Sequence, residues 1–196
     1  MIDFCGICSR KRGDGVVVWV TGLSGSGKTT LCAALRSLLK PRIPELVLID
    51  GDIVREIFGG DLGFGEADRA RQIKRIQSLA RELDKQGQVV IVAALYAHPD
   101  LLHWNRQNFK DYFEIYLDAP LSLVRQRDPK GLYGKAARGE IESVVGIDVP
   151  WNPPANPDLR IDVATVPKPA ELARNVAQAI PRFAAALQID QMDAVS

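Results

Sequence analysis

One stretch of glycine, hydroxyl and lysine residues has the composition and spacing of a phosphate-binding loop. The segment Gly22-Leu23-Ser24-Gly25-Ser26-Gly27-Lys28-Thr29 fits the pattern G-x-x-x-x-G-K-[ST] at every defined position. In this pattern the glycines let backbone N–H groups surround phosphate oxygens, the lysine reaches the β- and γ-phosphates, and the threonine hydroxyl helps to hold Mg²⁺. The sequence therefore predicts a nucleoside-triphosphate site formed by Gly22, Ser24, Gly25, Ser26, Gly27, Lys28, Thr29 and Thr30.

Two carboxylates, Asp50 and Asp52, follow a short apolar run, and Arg55 comes three positions later. In open α/β sheets ligands collect at the carboxyl ends of the strands, so this pair is expected to face the phosphate loop. One carboxylate would hold Mg²⁺ together with Thr29, and the other would accept a proton from an attacking hydroxyl. The simpler alternative is a helix-capping aspartate beside a solvated arginine.

An exposed aromatic residue and a run of cations follow this corner. Phe64 stands between two glycines, where it is a poor core residue but suits a platform for a base. Arg69, near the start of the next helical pattern, would clamp an anionic substrate. The other cations of that pattern are expected to form a solvated face; they are Arg71, Lys74 and Arg75.

The segment 128–148, here called the lid, places Lys130, Lys135 and Arg138 among several glycines. Cations on a mobile, glycine-hinged loop suit closure over phosphates, which excludes water from phosphoryl transfer. The alternative interpretation is a basic surface loop.

The elements that must position these residues alternate along the chain. Apolar, β-branched runs typical of buried strands occupy 16–20, 46–49, 89–92, 113–117 and 160–163. Helical patterns occupy 28–39, 66–86, 121–127 and 168–187. This order predicts an α/β fold, with a parallel sheet of about five strands, helices on both faces and a mobile lid.

Composition excludes several classes of protein. The chain has 196 residues and a net charge of +1, which argues against a dedicated nucleic-acid binder. No apolar run approaches the length of a membrane span, and three cysteines do not make a disulfide scaffold. Cys5 and Cys8 have C-x-x-C spacing, but no second ligand pair follows, so no metal or redox role is expected. We expect a flexible leader over 1–15, a single domain over 16–196 and a cytoplasmic location.

The chain resembles the adenylyl-sulfate kinase family over about residues 16–161. The resemblance rests on the stretches GLSGSGKTT, LIDGDIVR, DLGFGEADR, RDPKGLYGKAARGEI, and GID followed by NPPANPDL. It implies a P-loop NTPase fold and an enzyme that transfers the γ-phosphate of MgATP to the ribose 3′-hydroxyl of adenylyl sulfate. It also implies a nucleotide small molecule as substrate, with no nucleic-acid or membrane partner, and a possible homodimer.

The resemblance also implies roles for single residues. Asp52 would be the base or a metal-side carboxylate, and Lys28 and Lys130 complete the predicted catalytic set. Arg55 and Arg69 would grip the anionic groups of the acceptor. The remaining residues of the predicted acceptor site are Phe64, which would stack on the base, Lys135, which would close over the phosphates with Lys130, and Gln72, Leu95 and Val144.

Four departures from the family lie on the acceptor side. Tyr96 stands where the family has a serine once proposed to be phosphorylated, and Gln72 replaces an asparagine. Val144 replaces a lid aromatic that sandwiches adenine, and the segment 98–106 replaces an arginine-rich one. These departures resemble a divergent branch that phosphorylates cytidine diphosphoramidate in capsule-sugar modification, so that acceptor stays open beside adenylyl sulfate.

Two other classes of protein are weighed against a nucleotide kinase. A small-metabolite kinase acting on gluconate or shikimate would not need Phe64 or a long lid. A non-catalytic nucleotide-binding module would bind ATP without turnover, although Lys28, Thr29, Asp52 and the lid cations complete the parts needed for phosphoryl transfer.

Overall fold

The computed structural model describes residues 15–96, 98–166 and 168–193. Its central sheet has five parallel strands in the order β2-β3-β1-β4-β5. The strands are β1 Val16–Thr21, β2 Leu46–Asp50, β3 Val89–Ala93, β4 Tyr112–Asp118 and β5 Leu159–Asp162. The predicted α/β fold with a parallel five-stranded sheet is confirmed.

Eight helices are assigned within the described residues. They are α1 Lys28–Leu39, α2 Gly51–Ile57, α3 Glu66–Lys85, α4 Pro99–Asn108, α5 Leu121–Arg127, α6 Leu132–Ala137, α7 Pro169–Ala179 and α8 Pro181–Asp193. Within the same residues, no helix combines the length and the apolar character needed to cross a membrane. The predicted leader, including Cys5 and Cys8, lies outside the described residues apart from Gly15.

Alternating residues of the central strands fill two cores, one on each face of the sheet. Val16, Val18 and Val20 of β1 pack in the core that contains residues of α1, α7 and α8. Val17 and Trp19 face the other core, which contains residues of α3 and α4. Because successive side chains of a strand point to opposite faces, a continuous apolar run is what a sheet covered on both sides requires.

Three differences from the sequence prediction have local causes. The helix predicted over 168–187 is two helices, because Pro181 has no N–H and its ring clashes with a preceding carbonyl. Helix α4 was not predicted; the His98 side chain caps it by accepting a hydrogen bond from the Asp100 N–H at 3.3 Å. The lid, predicted as loop, contains the short helix α6.

Candidate active site

The phosphate loop connects β1 to α1 and lies close to β4. A Cβ on Gly22 would lie 2.7 Å from the carbonyl oxygen of Leu117 and 2.8 Å from Oγ of Ser26, so only glycine fits there. Gly25 and Gly27 have φ of 78° and 99°, a left-handed conformation that glycine adopts without a steric penalty. The spacing of glycines in the motif therefore reflects backbone geometry.

The Lys28 ammonium folds back onto this loop. Its Nζ donates hydrogen bonds of 2.8 Å to the carbonyl oxygens of Gly22 and Leu23. Burial lowers the pKa of Lys28 to about 8, although the Asp52 carboxylate acts to raise it. An anion bound in the loop would favour the protonated amine, so anion binding and protonation of Lys28 are coupled.

Asp50 connects the phosphate loop to the start of α2. Its Oδ2 accepts a hydrogen bond from Oγ1 of Thr29 at 2.8 Å, and its Oδ1 caps α2 by accepting from the Asp52 N–H at 2.9 Å. Asp50 therefore caps α2, as the simpler alternative predicted for an aspartate, and it also contacts Thr29 of the phosphate loop. A hydroxyl and a carboxylate side by side are oxygen ligands of the kind that Mg²⁺ prefers.

Asp52 lies in the first turn of α2, where its side chain is exposed and forms an ion pair with Lys130 of the lid. The lid is held there by Tyr133, which is buried and whose hydroxyl donates to the carbonyl oxygen of Ser24 at 3.1 Å. The Asp128 carboxylate caps α6 through the N–H groups of Tyr133 and Gly134. These contacts dock the lid on the phosphate loop.

Sequence reasoning missed Asp128 and Tyr133. No N-cap pattern marked Asp128, because the N-cap position of α6 is Gly131 and the carboxylate lies three residues earlier. No local pattern indicated the contact of Tyr133 with Ser24, which joins residues 109 positions apart.

The other two lid cations differ in their surroundings. Lys135 is exposed and lines the cleft at the carboxyl end of the sheet. Arg138 pairs instead with Glu140, with an Nε–Oε1 distance of 2.5 Å, and does not line the cleft. Of the lid cations, Lys130 and Lys135 therefore face the candidate site.

Two guanidinium groups surround the exposed Phe64 ring. The Cζ atoms of Arg55 and Arg69 lie 4.7 and 5.7 Å from its centroid, distances typical of cation–π contacts. Arg69 also donates from Nε to the Phe64 carbonyl at 2.7 Å and from Nη2 to the Ser143 carbonyl at 2.6 Å. Burial and the charge of Arg55 lower the pKa of Arg69. Both guanidinium groups therefore lie over the exposed aromatic ring and give this part of the cleft a positive charge.

Gln72 is buried and forms a hydrogen bond with the first residue of α2. Its Nε2 donates to the Gly51 carbonyl at 3.1 Å, and its Oε1 accepts from Nη1 of Arg75 at 3.3 Å. Arg75 itself pairs with Asp61 at 2.7 Å and packs on the Phe58 ring. The expectation that Arg75 belongs to a solvated face is therefore wrong, because it ties α3 to the segment before it.

Another part of the cleft is lined by Leu95 and Tyr96, which follow β3, and by Val144 of the lid. Leu95 is half-buried, and its carbonyl accepts a hydrogen bond from Oγ1 of Thr21 at 3.2 Å. Tyr96 is buried and donates from its hydroxyl to Oε1 of Glu66 at 3.1 Å. Val144 is buried and presents an aliphatic side chain to the same cleft.

These groups line one cleft of about 780 Å³ at the carboxyl end of the sheet. Gly22 and Ser26 are buried residues of the phosphate loop and do not line the cleft. The other predicted site residues do, namely Ser24, Gly25, Gly27, Lys28, Thr29, Thr30, Asp50, Asp52, Arg55, Phe64, Arg69, Gln72, Leu95, Lys130, Lys135 and Val144. The structure thus brings the predicted phosphate and acceptor residues into one space.

Comparison with known proteins gives a consistent result. Residues 14–162 match the family model described as adenylylsulphate kinase. The adenylyl-sulfate kinase of Rippkaea orientalis is 42% identical over 154 residues, which cover 78% of this chain and 85% of that protein. The corresponding enzyme of Chloroflexus aurantiacus is 43% identical over 156 residues, covering 79% and 84%.

A solved structure extends the likeness to three dimensions. The APS kinase CysC of Mycobacterium tuberculosis, in complex with AMPPNP and APS, is 38% identical and superposes with a TM-score of 0.78. The likeness covers 85% of this chain and 97% of that one. Because the family model matches residues 14–162 and a relative is 42% identical over 78% of this chain, the chain belongs to the adenylyl-sulfate kinase family.

Proposed function

We propose that this protein is a kinase that transfers the γ-phosphoryl group of MgATP to the ribose 3′-hydroxyl of adenylyl sulfate. The observation that carries the proposal is the shared cleft, in which Lys28, the Asp52–Lys130 pair and Phe64 with its two arginines all take part. Relatives named adenylyl-sulfate kinase and the likeness to the complex with AMPPNP and APS support it.

The phosphate loop would hold the triphosphate of ATP. Within the described residues, the buried Oγ of Ser26 has no hydrogen-bond partner, so this hydroxyl of the loop is available to donate to a phosphate oxygen. Lys28 already lies against the loop and would exchange its backbone acceptors for phosphate oxygens. These features fit a triphosphate, because its negative charge is matched by backbone N–H groups and one ammonium.

Thr29 and Asp50 are the residues that would hold Mg²⁺, and Asp52 lies nearby in the first turn of α2. Bound there, Mg²⁺ would neutralise charge on the transferred phosphoryl group. Asp50 is fixed in place by its capping bond to α2, so its second oxygen keeps a defined direction toward Thr29.

The acceptor would lie on the Phe64 side of the cleft. Phe64 would stack on its base, and Arg55 and Arg69 would bind its phosphate and sulfate oxygens. Asp52 would orient the ribose hydroxyl and accept its proton as the O–P bond forms, while Lys130 and Lys135 stabilise the charge on the transferred group.

The second candidate acceptor is cytidine diphosphoramidate. Val144 favours it, because this buried aliphatic side chain cannot stack on a base as an aromatic lid residue would. A pyrimidine is smaller than adenine and depends less on stacking between two aromatic rings.

The test is ADP release by the purified protein with MgATP and either acceptor at equal concentration, with Asp52→Asn as the inactive reference. Adenylyl sulfate is expected to be turned over at the higher kcat/KM. A clear preference for cytidine diphosphoramidate would reject adenylyl sulfate as the acceptor but keep the kinase assignment. ADP release that is independent of acceptor and unaffected by Asp52→Asn would reject both.

A further inference from the structure

A strained turn lies behind the acceptor side of the cleft. Ser143 has φ of 64°, in the left-handed region that favours glycine. The chain then folds back at once, since the N–H groups of Ile147 and Val149 both donate to the Val144 carbonyl, at 3.0 and 3.2 Å. Some contact must hold a serine in this conformation.

The Asp148 carboxylate supplies that contact. One of its oxygens accepts a hydrogen bond from the Ser143 N–H, and the other accepts from the Val144 N–H at 2.5 Å. The desolvation that acts to raise the pKa of Asp148 is outweighed by these and two further backbone N–H groups, so its pKa is lowered. The carboxylate therefore stays ionised and keeps both bonds across the neutral pH range.

The turn reaches the acceptor residues through one carbonyl. The Ser143 oxygen accepts from Nη2 of Arg69 at 2.6 Å, and the same guanidinium donates from Nε to the Phe64 carbonyl at 2.7 Å. Arg69 lies in α3, 74 positions away in the sequence, so the bond joins two separate elements of the cleft wall. A shift of the Ser143 peptide would release one end of Arg69 and alter its position over Phe64.

We propose that Asp148 is a positioning residue for the acceptor: it fixes the Ser143 peptide, whose carbonyl orients Arg69 and through it Phe64. The effect on catalysis rests on the function proposed above, whereas the effect on the turn does not. Asp148 is exposed and does not line the cleft, so it acts through Arg69 and not by contact with substrate.

The kinetic test compares Asp148→Ala and Asp148→Asn with the wild type at saturating MgATP. Asp148→Ala is expected to raise the KM for adenylyl sulfate by about tenfold, since charge-assisted hydrogen bonds contribute on that order. The KM for ATP should change by less than about twofold, because Lys28 and Thr29 bond to Gly22, Leu23 and Asp50 and not to the Asp148 carboxylate. Asp148→Asn keeps one acceptor oxygen and should give an intermediate KM. Glu140→Gln, a lid carboxylate that pairs with Arg138 outside the cleft, is the matched control.

A rescue variant separates positioning from general destabilisation. Glycine adopts positive φ without a steric penalty, so adding Ser143→Gly to Asp148→Ala should recover part of the lost affinity, about threefold in KM. If Asp148 served only overall stability, Asp148→Ala would lower the active fraction, which reduces the apparent kcat and leaves the KM for adenylyl sulfate unchanged.

Amide hydrogen exchange of Ser143 and Val144, followed by NMR in the ligand-free protein, provides a readout that does not depend on the acceptor. Faster exchange of both amides in Asp148→Ala is expected. Unchanged exchange, or an unchanged KM for adenylyl sulfate in an active enzyme, would overturn the proposal. A wild-type protein that does not phosphorylate adenylyl sulfate would instead reject the proposed function, and exchange would still decide whether Asp148 holds the turn.

Discussion

The Asp52 carboxylate and the Lys130 ammonium form an ion pair across 78 positions of the sequence, joining the first turn of α2 to the lid. Asp52 is the group proposed to accept the proton of the acceptor hydroxyl, and Lys130 is one of those proposed to cover the phosphates. Both are more than half exposed, with side-chain exposures of 70% and 54%, so incoming phosphate and hydroxyl groups can compete for them. The position of the lid and the carboxylate proposed as the base are thereby coupled.

Asp52→Asn should lower kcat by about 100-fold or more, since a positioned general base contributes on that order. Binding of a non-hydrolysable ATP analogue should stay within about threefold of wild type, because the phosphate loop is untouched. Asp100→Asn, which changes an exposed carboxylate at the start of α4, is the matched control and should keep full activity. A near wild-type kcat for Asp52→Asn would remove this residue from the mechanism.

Lys130→Ala should lower kcat/KM at least about tenfold, because it removes a charge directed at the transferred phosphoryl group. Arg138→Ala is the paired control in the same lid. Its guanidinium is bound to Glu140 and does not line the cleft, so steady-state kinetics should show a change of less than about twofold. Equal losses in both variants would mean that the lid contributes general charge and not a specific contact.

Lys28→Ala should reduce turnover well over about tenfold, since the variant lacks the ammonium proposed to bind the β- and γ-phosphates. The loss should appear in single-turnover phosphoryl transfer and in the affinity for an ATP analogue. A rate near that of the wild type would refute the assignment of the phosphate site.

The lowered pKa of Lys28, about 8, makes nucleotide binding dependent on pH. Above pH 8 the ligand-free amine is mainly neutral, and a bound triphosphate raises its pKa again, so binding takes up a proton and weakens as pH rises. Calorimetry with an ATP analogue in buffers of different ionisation enthalpy should show more proton uptake at pH 8.5 than at pH 7, and the difference should be absent in Lys28→Arg. Equal uptake at both pH values, or uptake retained in Lys28→Arg, would contradict the linkage.

Phe64→Ala should raise the KM for the acceptor by about 5- to 100-fold, which corresponds to the loss of one aromatic stacking face. Phe58→Ala is a useful comparison, because Phe58 is also exposed but packs with Arg75 outside the cleft. Initial-rate measurements at fixed MgATP would separate the two. An unchanged KM for Phe64→Ala would place the acceptor base elsewhere in the cleft.

The sheet and the phosphate loop could be predicted from the sequence because their causes are local. The run Val16–Thr21 is apolar at almost every position, which a strand covered on both faces requires, and the loop motif follows it directly. Ile73, Ile76 and Ala80 recur at helical spacing, and all three are buried in α3. Pro181 was also visible, but the apolar pattern around it favoured one continuous helix.

The acceptor side could be predicted only as a set of residue types. Arg69 was identified as a candidate anion-binding residue, but its bond to the Ser143 carbonyl joins positions 74 apart and leaves no local pattern. The same applies to the hydrogen bond between Tyr133 and Ser24, which lie 109 positions apart. Such contacts depend on how distant elements pack, which periodicity and spacing do not encode.

The most direct test of the central claim is to follow the γ-phosphoryl group itself. Purified protein would be incubated with γ-labelled MgATP and adenylyl sulfate, the product separated, and the position of the label determined with a 3′-specific nucleotidase. We expect label on the acceptor and its release by that nucleotidase. A control incubation with 3′-deoxyadenylyl sulfate in place of adenylyl sulfate should give no labelled product. Label recovered only as inorganic phosphate, or transfer to the 3′-deoxy compound at a comparable rate, would contradict the proposed reaction.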